Sequence, residues 1–148
     1  MFSTAFSARK AYKTVELETS VMNASPHKLV LMLYDGAITA IHRSKVHLEQ
    51  NEIPEKGKAI SKAIDIIENG LKSSLDMKVG GDLAERLYML YDYMCNALLE
   101  ANIKNSVEKL DEVVRLLSQL RSAWEAIANH PDALAAQEEI IKRNKGMG

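Results

Sequence analysis

A single cysteine, Cys95, stands among 148 residues. That excludes an internal disulfide and a cysteine-built zinc cluster, and it fits a reducing compartment. Prolines number only 3 and glycines 7, so long stretches carry no breaker. In a chain rich in Ala, Leu, Lys and Glu this favours helices. No apolar run approaches the ~20 residues of a membrane span, which argues against membrane insertion. Neither sign of charge dominates. The formal net charge is −1, so no global field draws in nucleic acid or anionic lipid.

The usual marks of catalysis are also missing. Gly80-Gly81-Asp82 lacks the lysine and spacing of a phosphate loop. None of His27, His42, His47 and His130 lies three residues after a glutamate, as di-iron helical bundles require. Solvated or capping roles suit these histidines better than metal ligation. Cys95 lies in an apolar stripe and reads as a packing residue. No paired acid/base site is visible, and neither a cofactor nor a metal is expected.

What remains is helix. The length suggests one domain, large enough to bury a real core. Residues 1–23 read as a mobile N-terminal segment with a short helix carrying Tyr12, Val15, Thr19 and Met22 on one face. Arg9, Lys10 and Lys13 give its start a faint likeness to a transit peptide, without a secretory apolar core. Residues 24–130 read as the bundle. Ser25 is a good N-cap and Pro26 suits the first turn of a helix to about Gln50. Pro54 opens a second helix to about Leu75, whose apolar residues fill one half of the wheel. Gly36 and Gly70 mark either close helix approach or a simple propensity cost. Lys78 to Gly81 reads as a loop, and Asp82 as the cap of a helix over Leu83–Asn102. Asn105 with Glu108 resembles a capping box for a last helix ending before Pro131. Residues 131–148 read as a weakly ordered tail with a weak helix around Leu134–Ile141. Long helices joined by short turns predict an all-α, antiparallel up-down four-helix bundle. There is no strand pattern and no internal repeat.

Two helices carry more apolar surface than one core face needs. In Leu83–Asn102, Leu83, Leu87, Leu90, Met94, Ala97 and Ala101 form a stripe suited to the core. Ala84, Tyr88, Tyr91, Cys95 and Leu99 form a second stripe beside it. In the helix from Pro26, Leu29, Leu33, Ala37 and Ala40 make a core face, flanked by Leu31, Tyr34, Ile38 and Ile41. One reading is that both helices are simply more buried, with two neighbours each. The other is that the second stripes bind a partner chain, with the tyrosine hydroxyls left wet at a groove lip. The occupant would be an amphipathic segment of another protein, or a second copy in a structural homodimer.

The stretches Ala11-Tyr12, Ala24-Ser25-Pro26-His27-Lys28-Leu29, Met32-Leu33-Tyr34-Asp35-Gly36-Ala37, Lys58 to Ile64, Asn69-Gly70-Leu71, Gly80-Gly81-Asp82, Leu90-Tyr91-Asp92-Tyr93-Met94 and Leu98 to Asn102 together resemble the FliS family of flagellin export chaperones. The resemblance covers about Ala11 to Ile127. It implies a helical bundle of the bacterial cytosol that binds the disordered C-terminal segment of flagellin. It implies that the bundle prevents premature polymerisation and delivers the subunit to the type III export apparatus, docking on the cytoplasmic domain of a membrane component. It further implies that the N-terminal segment covers the binding surface and that Tyr12 takes part in export-gate docking. Phe6, Tyr12 and Val15 are the candidates for docking or cover. Leu31, Tyr34, Ile38, Ile41, Ala84, Tyr88, Tyr91, Cys95 and Leu99 are the candidates for client contact.

Overall fold

Ser25 opens the first helix as its sequence demands. Its hydroxyl accepts the backbone N–H of Lys28 at 3.1 Å, and Pro26 occupies the first turn. In the computed structural model, residues 25–129 are described; the segment expected over 1–23 and the tail expected over 131–148 lie outside them. The helices are α1 (Pro26–Glu49), α2 (Ile53–Asp65, prolonged by a π-helical stretch, Ile66–Lys72), α3 (Met77–Lys104) and α4 (Val107–Asn129). No strand occurs among the described residues.

The turns depart from the expected details for local reasons. Asn105 does not cap the last helix. It terminates α3 in the left-handed region (φ 52°), where asparagine is tolerated. Ser106 takes the cap role, accepting the N–H of Lys109 at 3.3 Å. The Asn105 side chain is engaged elsewhere. The buried Lys56 ammonium donates to Asn105 Oδ1 at 2.7 Å and to the Asn102 carbonyl at 2.8 Å, tying α2 to the end of α3. The expected loop at Lys78–Gly81 is instead a helical turn. Asp76 caps it by accepting from Lys78 and Val79, and Gly81 breaks it at φ 54° before α3 continues. Only a glycine takes that conformation without penalty.

Each helix packs on its sequence neighbours, and α4 closes the ring against α1. The bundle is therefore square, with α1 and α3 on one diagonal. Leu29, Leu33, Ala37 and Ile41 of α1 meet Ile60, Ile66, Ile67 and Leu71 of α2, Met94 and Leu98 of α3, and Leu110, Val113 and Leu117 of α4 in one core. Gly70, in the π-helical stretch, marks a close approach: a Cβ there would lie 2.9 Å from Leu33 Cδ2. A polar contact crosses the apolar centre. The hydroxyls of Tyr34 and Tyr91 bond at 2.6 Å, joining α1 to α3 along the diagonal. Burial pushes both phenols up from their ordinary range, so both stay protonated.

Each hydroxyl satisfies the other in a place that water does not reach. Tyr34→Phe or Tyr91→Phe should therefore cost about 1–3 kcal/mol by stranding its partner. The double variant should cost clearly less than the sum of the two, as read by urea unfolding in a double-mutant cycle.

Candidate partner-binding surface

A helix of this ring meets two neighbours, so roughly half its circumference is hidden. In α3 the hidden arc takes Ala84, Tyr91, Met94, Cys95, Ala97, Leu98 and Ala101. The outward arc is mixed, with Glu85, Asn96 and Lys104 exposed among apolar side chains. Tyr88, Met89, Tyr93, Leu99 and Ile103 stand exposed on it, and Met77 and Leu83 are exposed at the start of the helix; together they are seven of the ten large apolar side chains exposed among the described residues. The other three, Val46, Ile53 and Val107, fall singly on α1, α2 and α4. One helix therefore carries the unpartnered apolar surface. Exposure reaches 65% at Leu83, 69% at Met89 and 81% at Ile103, so these side chains are not grazing the core.

This redistributes the expected contact residues. Of the expected contact residues, Tyr88 and Leu99 are exposed. Tyr34, Ile41, Ala84, Tyr91 and Cys95 are buried in the bundle. Leu31 and Ile38 are half-buried, and Ile38 packs against the core. The reason is the ring itself. Helix α1 lies between α2 and α4, and the two close on both of its stripes. The expected wet hydroxyls of Tyr34 and Tyr91 are dry because they face each other. Leu83, expected in the core, is outside because it follows the Gly81 break at the end of the bundle. Met89, Tyr93 and Ile103 belong to neither of the two stripes expected on this helix. The i, i+4 pair Met89 and Tyr93 was the available signal.

Polar contacts border the apolar arc on both sides. Toward α2, the Lys72 ammonium donates to Asp92 at 2.6 Å and Glu68 at 3.0 Å, and lies 4.2 Å from the centre of the Tyr88 ring. Its hydrogen bonds to Asp92 and then to Glu68 hold this lysine well above its usual range, so it stays charged. The cation supports the Tyr88 ring from one face. Beneath it, burial pushes the Cys95 thiol up to about 12, with the nearby Glu68 charge adding to the effect. Such a thiol is inert at neutral pH. Toward α4, the Tyr93 hydroxyl donates to Glu112 at 2.6 Å, and Glu100 accepts from Lys104 at 2.9 Å. The Lys104 hydrogen bond holds the Glu100 carboxyl below its ordinary range. Apolar side chains interleaved with Glu85, Asp92 and Asn96 can seat an amphipathic chain; the surface contains no nucleophile paired with a base. Among the described residues no group of His, Cys, Asp or Glu could hold a metal ion, and no helix is long and apolar enough to cross a membrane.

The histidines also resolve in part. His47 pairs with Glu52 at 2.9 Å in the turn after α1, and His42 is exposed. His27 is neither solvated nor a cap. Its ring stacks on Trp124 of α4, with centroids 4.7 Å apart, and the Trp124 indole N–H donates to the His27 carbonyl at 3.0 Å. Its buried Nε2 has no partner among the described residues.

The family model for Flagellar protein FliS matches residues 8–131. The chain belongs to the FliS family. The flagellar secretion chaperone FliS of Salmonella typhimurium is 50% identical over 119 residues, 80% of this chain and 88% of the relative. That of Vibrio cholerae is 42% identical over 129 residues, 87% and 94% of the two chains. That of Bacillus subtilis is 33% identical over 111 residues, 75% and 81%. As a FliS protein the chain is a chaperone of flagellar secretion and not an enzyme, and the whole α3 surface falls inside the matched span.

Burial holds His27 below its ordinary 6.5, partly offset by a hydrogen bond at the Trp124 backbone. The unfolded chain thus binds the His27 proton more readily than the folded one. Stability from this site is complete above pH ~6.5 and falls as pH drops from there toward the lowered folded value. Urea midpoints at pH 7.5 and 5.5 should differ less in His27→Phe, which keeps an aromatic ring against Trp124, than in the unmodified chain.

Proposed function

We propose that this chaperone works in the bacterial cytosol and binds the disordered C-terminal segment of flagellin along the outer arc of α3. Bound there, the segment is kept from premature polymerisation and is passed to the cytoplasmic domain of a membrane component of the flagellar export apparatus. The observation that carries this reading is the concentration of exposed large apolar side chains on one helix, inside the part of the chain that matches the family.

The energetics are sufficient. Ordering a disordered segment costs on the order of 2–5 kcal/mol or more. Each Leu, Ile or Tyr side chain fully buried returns roughly 1.5–3 kcal/mol. A few of Leu83, Tyr88, Met89, Leu99 and Ile103 therefore outweigh the cost even when each is only partly covered. The chaperone has no phosphate loop to drive a cycle of affinity, so release is by handover to a competing site.

The first test is co-expression with full-length flagellin. A soluble one-to-one complex should form and should depend on flagellin's last few dozen residues. Met89→Asp with Leu99→Asp should abolish it, while the helical circular dichroism signal and cooperative melting persist, because both positions are exposed in the free bundle. Retention of full binding by that double variant would remove α3 from the account. A chaperone that sediments as a stable dimer and never exchanges for flagellin would favour a structural homodimer.

Phe6, Tyr12 and Val15 lie outside the described residues. We assign them to a removable cover or to docking at the export gate. A cover lowers apparent affinity by the closed fraction. Removing residues 1–10 should then tighten binding of a flagellin C-terminal peptide in calorimetry; unchanged or weaker binding would leave docking as their role.

A further inference from the structure

The outward face of α3 carries the same order of chemistry from either end. Asn96 stands exposed at its middle. Tyr93 and Leu99 lie three residues to either side of it, Asp92 and Glu100 four, and Met89 and Ile103 seven. At about 100° per residue these positions fall within about 120° of the helix circumference, with Met89, Asn96 and Ile103 down the centre. Tyr93 and Glu100 lie on the side toward α4, and Asp92 and Leu99 on the side toward α2. The side-chain bonds agree, since Tyr93 donates to Glu112 of α4 and Asp92 accepts from Lys72 at the end of the π-helical stretch.

A face with that symmetry is complementary to itself. Across a two-fold axis every contact is made twice, i to j and j to i. With the axis at Asn96 and a second copy laid antiparallel, Met89 meets the partner copy's Ile103, and Ile103 meets its Met89. Tyr93 meets the partner copy's Glu100 and Leu99 meets its Asp92, so no two acids stand directly opposite. Each acid also keeps a base of its own chain. Asp92 accepts from Lys72 at 2.6 Å, and Glu100 accepts from Lys104 at 2.9 Å and lies 3.8 Å from Lys109. The two Asn96 side chains meet on the axis, where each amide N–H can donate to the other's carbonyl oxygen. An asparagine in the middle of a seven-residue spacing of apolar side chains fixes register, because a slipped pairing buries it against Met89 or Ile103 without a partner. An unrelated client does not require this symmetry; a second copy does. Four large side chains from each copy make a contact nearer the ~600 Å² a side of weak encounters than the ~800 Å² of a standard interface. A dimer of that size exchanges readily.

We propose that in the absence of client two copies pair antiparallel through Met89, Tyr93, Asn96, Leu99 and Ile103 of α3, as a weak dimer that keeps this surface out of water. The client takes the place of the second copy. The pairing stands apart from the client reading, and its displacement rests on that reading.

Cysteine cross-linking in the full-length chain tests the register. Helix axes 8–10 Å apart bring the two Cα atoms of position 96 to about 5 Å, within disulfide range. Those of position 103 stay about 21 Å apart along the helices. Asn96→Cys should therefore form a disulfide-linked dimer under mild oxidation, at a rate that rises with protein concentration. Met89→Cys and Ile103→Cys should not cross-link separately and should do so when mixed. The unmodified chain, with its buried Cys95, gives the background. Asn96→Cys that cross-links no faster than this background, or no faster than Ile103→Cys alone, would overturn the proposal. So would a thiol at position 96 that is masked from maleimide equally at every concentration, which would assign the face to a segment of the same chain. In sedimentation the unmodified chain should pass from monomer to dimer as its concentration rises, and Met89→Asp with Ile103→Asp should remain a monomer; an unmodified chain that stays monomeric throughout would also overturn the pairing. A saturating flagellin C-terminal peptide should slow cross-linking of Asn96→Cys at least fivefold. A peptide that binds in calorimetry and leaves the cross-linking rate unchanged would contradict the placement of the client on α3 and leave the dimer standing.

Discussion

A helix in a square four-helix ring can hide only about half of its surface, and α3 is apolar on more than half. That mismatch governs the molecule. Its inner arc supplies Tyr91, Met94, Leu98 and Ala101 to a core fed by all four helices. Its outer arc has no partner within the bundle, and nothing in the ring could provide one without adding a fifth element. A helix with large apolar side chains on its outward face as well as its inner one, at the corner of a small bundle, offers surface to a further chain.

The polar features around α3 keep that interface presentable without filling it. Lys72 is held by Asp92 and Glu68 and supports the Tyr88 ring, so an aromatic side chain stays in place with a cation behind it. The Tyr34–Tyr91 bond fixes α3 against α1 across the core, and Lys56 fixes its end. A rigid presenting helix means that the ordering cost of binding falls mainly on the client.

Much of the fold was legible because the relevant signals are local. Ser25-Pro26 starts α1 by a hydrogen bond and a fixed φ, both of which act within four residues. The helix count follows from periodicity. The details that failed depend on neighbours distant in sequence. Asn105 looked like a cap until Lys56, 49 residues away, claimed its side chain. The π-helical stretch at Ile66–Lys72 accompanies the contact of Gly70 with Leu33 on another helix. The candidate surface was half legible for the same reason. Periodicity showed that α1 and α3 each had two apolar stripes, but only the ring decides which stripes are covered. It covers Tyr34 and Ile41 of α1, leaves Leu31 and Ile38 half-buried, and leaves Tyr88 and Leu99 of α3 outside together with Met89, Tyr93 and Ile103.

The most direct measurement is a methyl NMR map of the chaperone titrated with a flagellin C-terminal peptide. The account predicts large shifts or exchange broadening at the methyls of Met89, Leu99 and Ile103, with Val46 on α1 and Ile53 on α2 undisturbed. Perturbations centred on α1 or α2, with the α3 methyls unmoved at saturation, would contradict it.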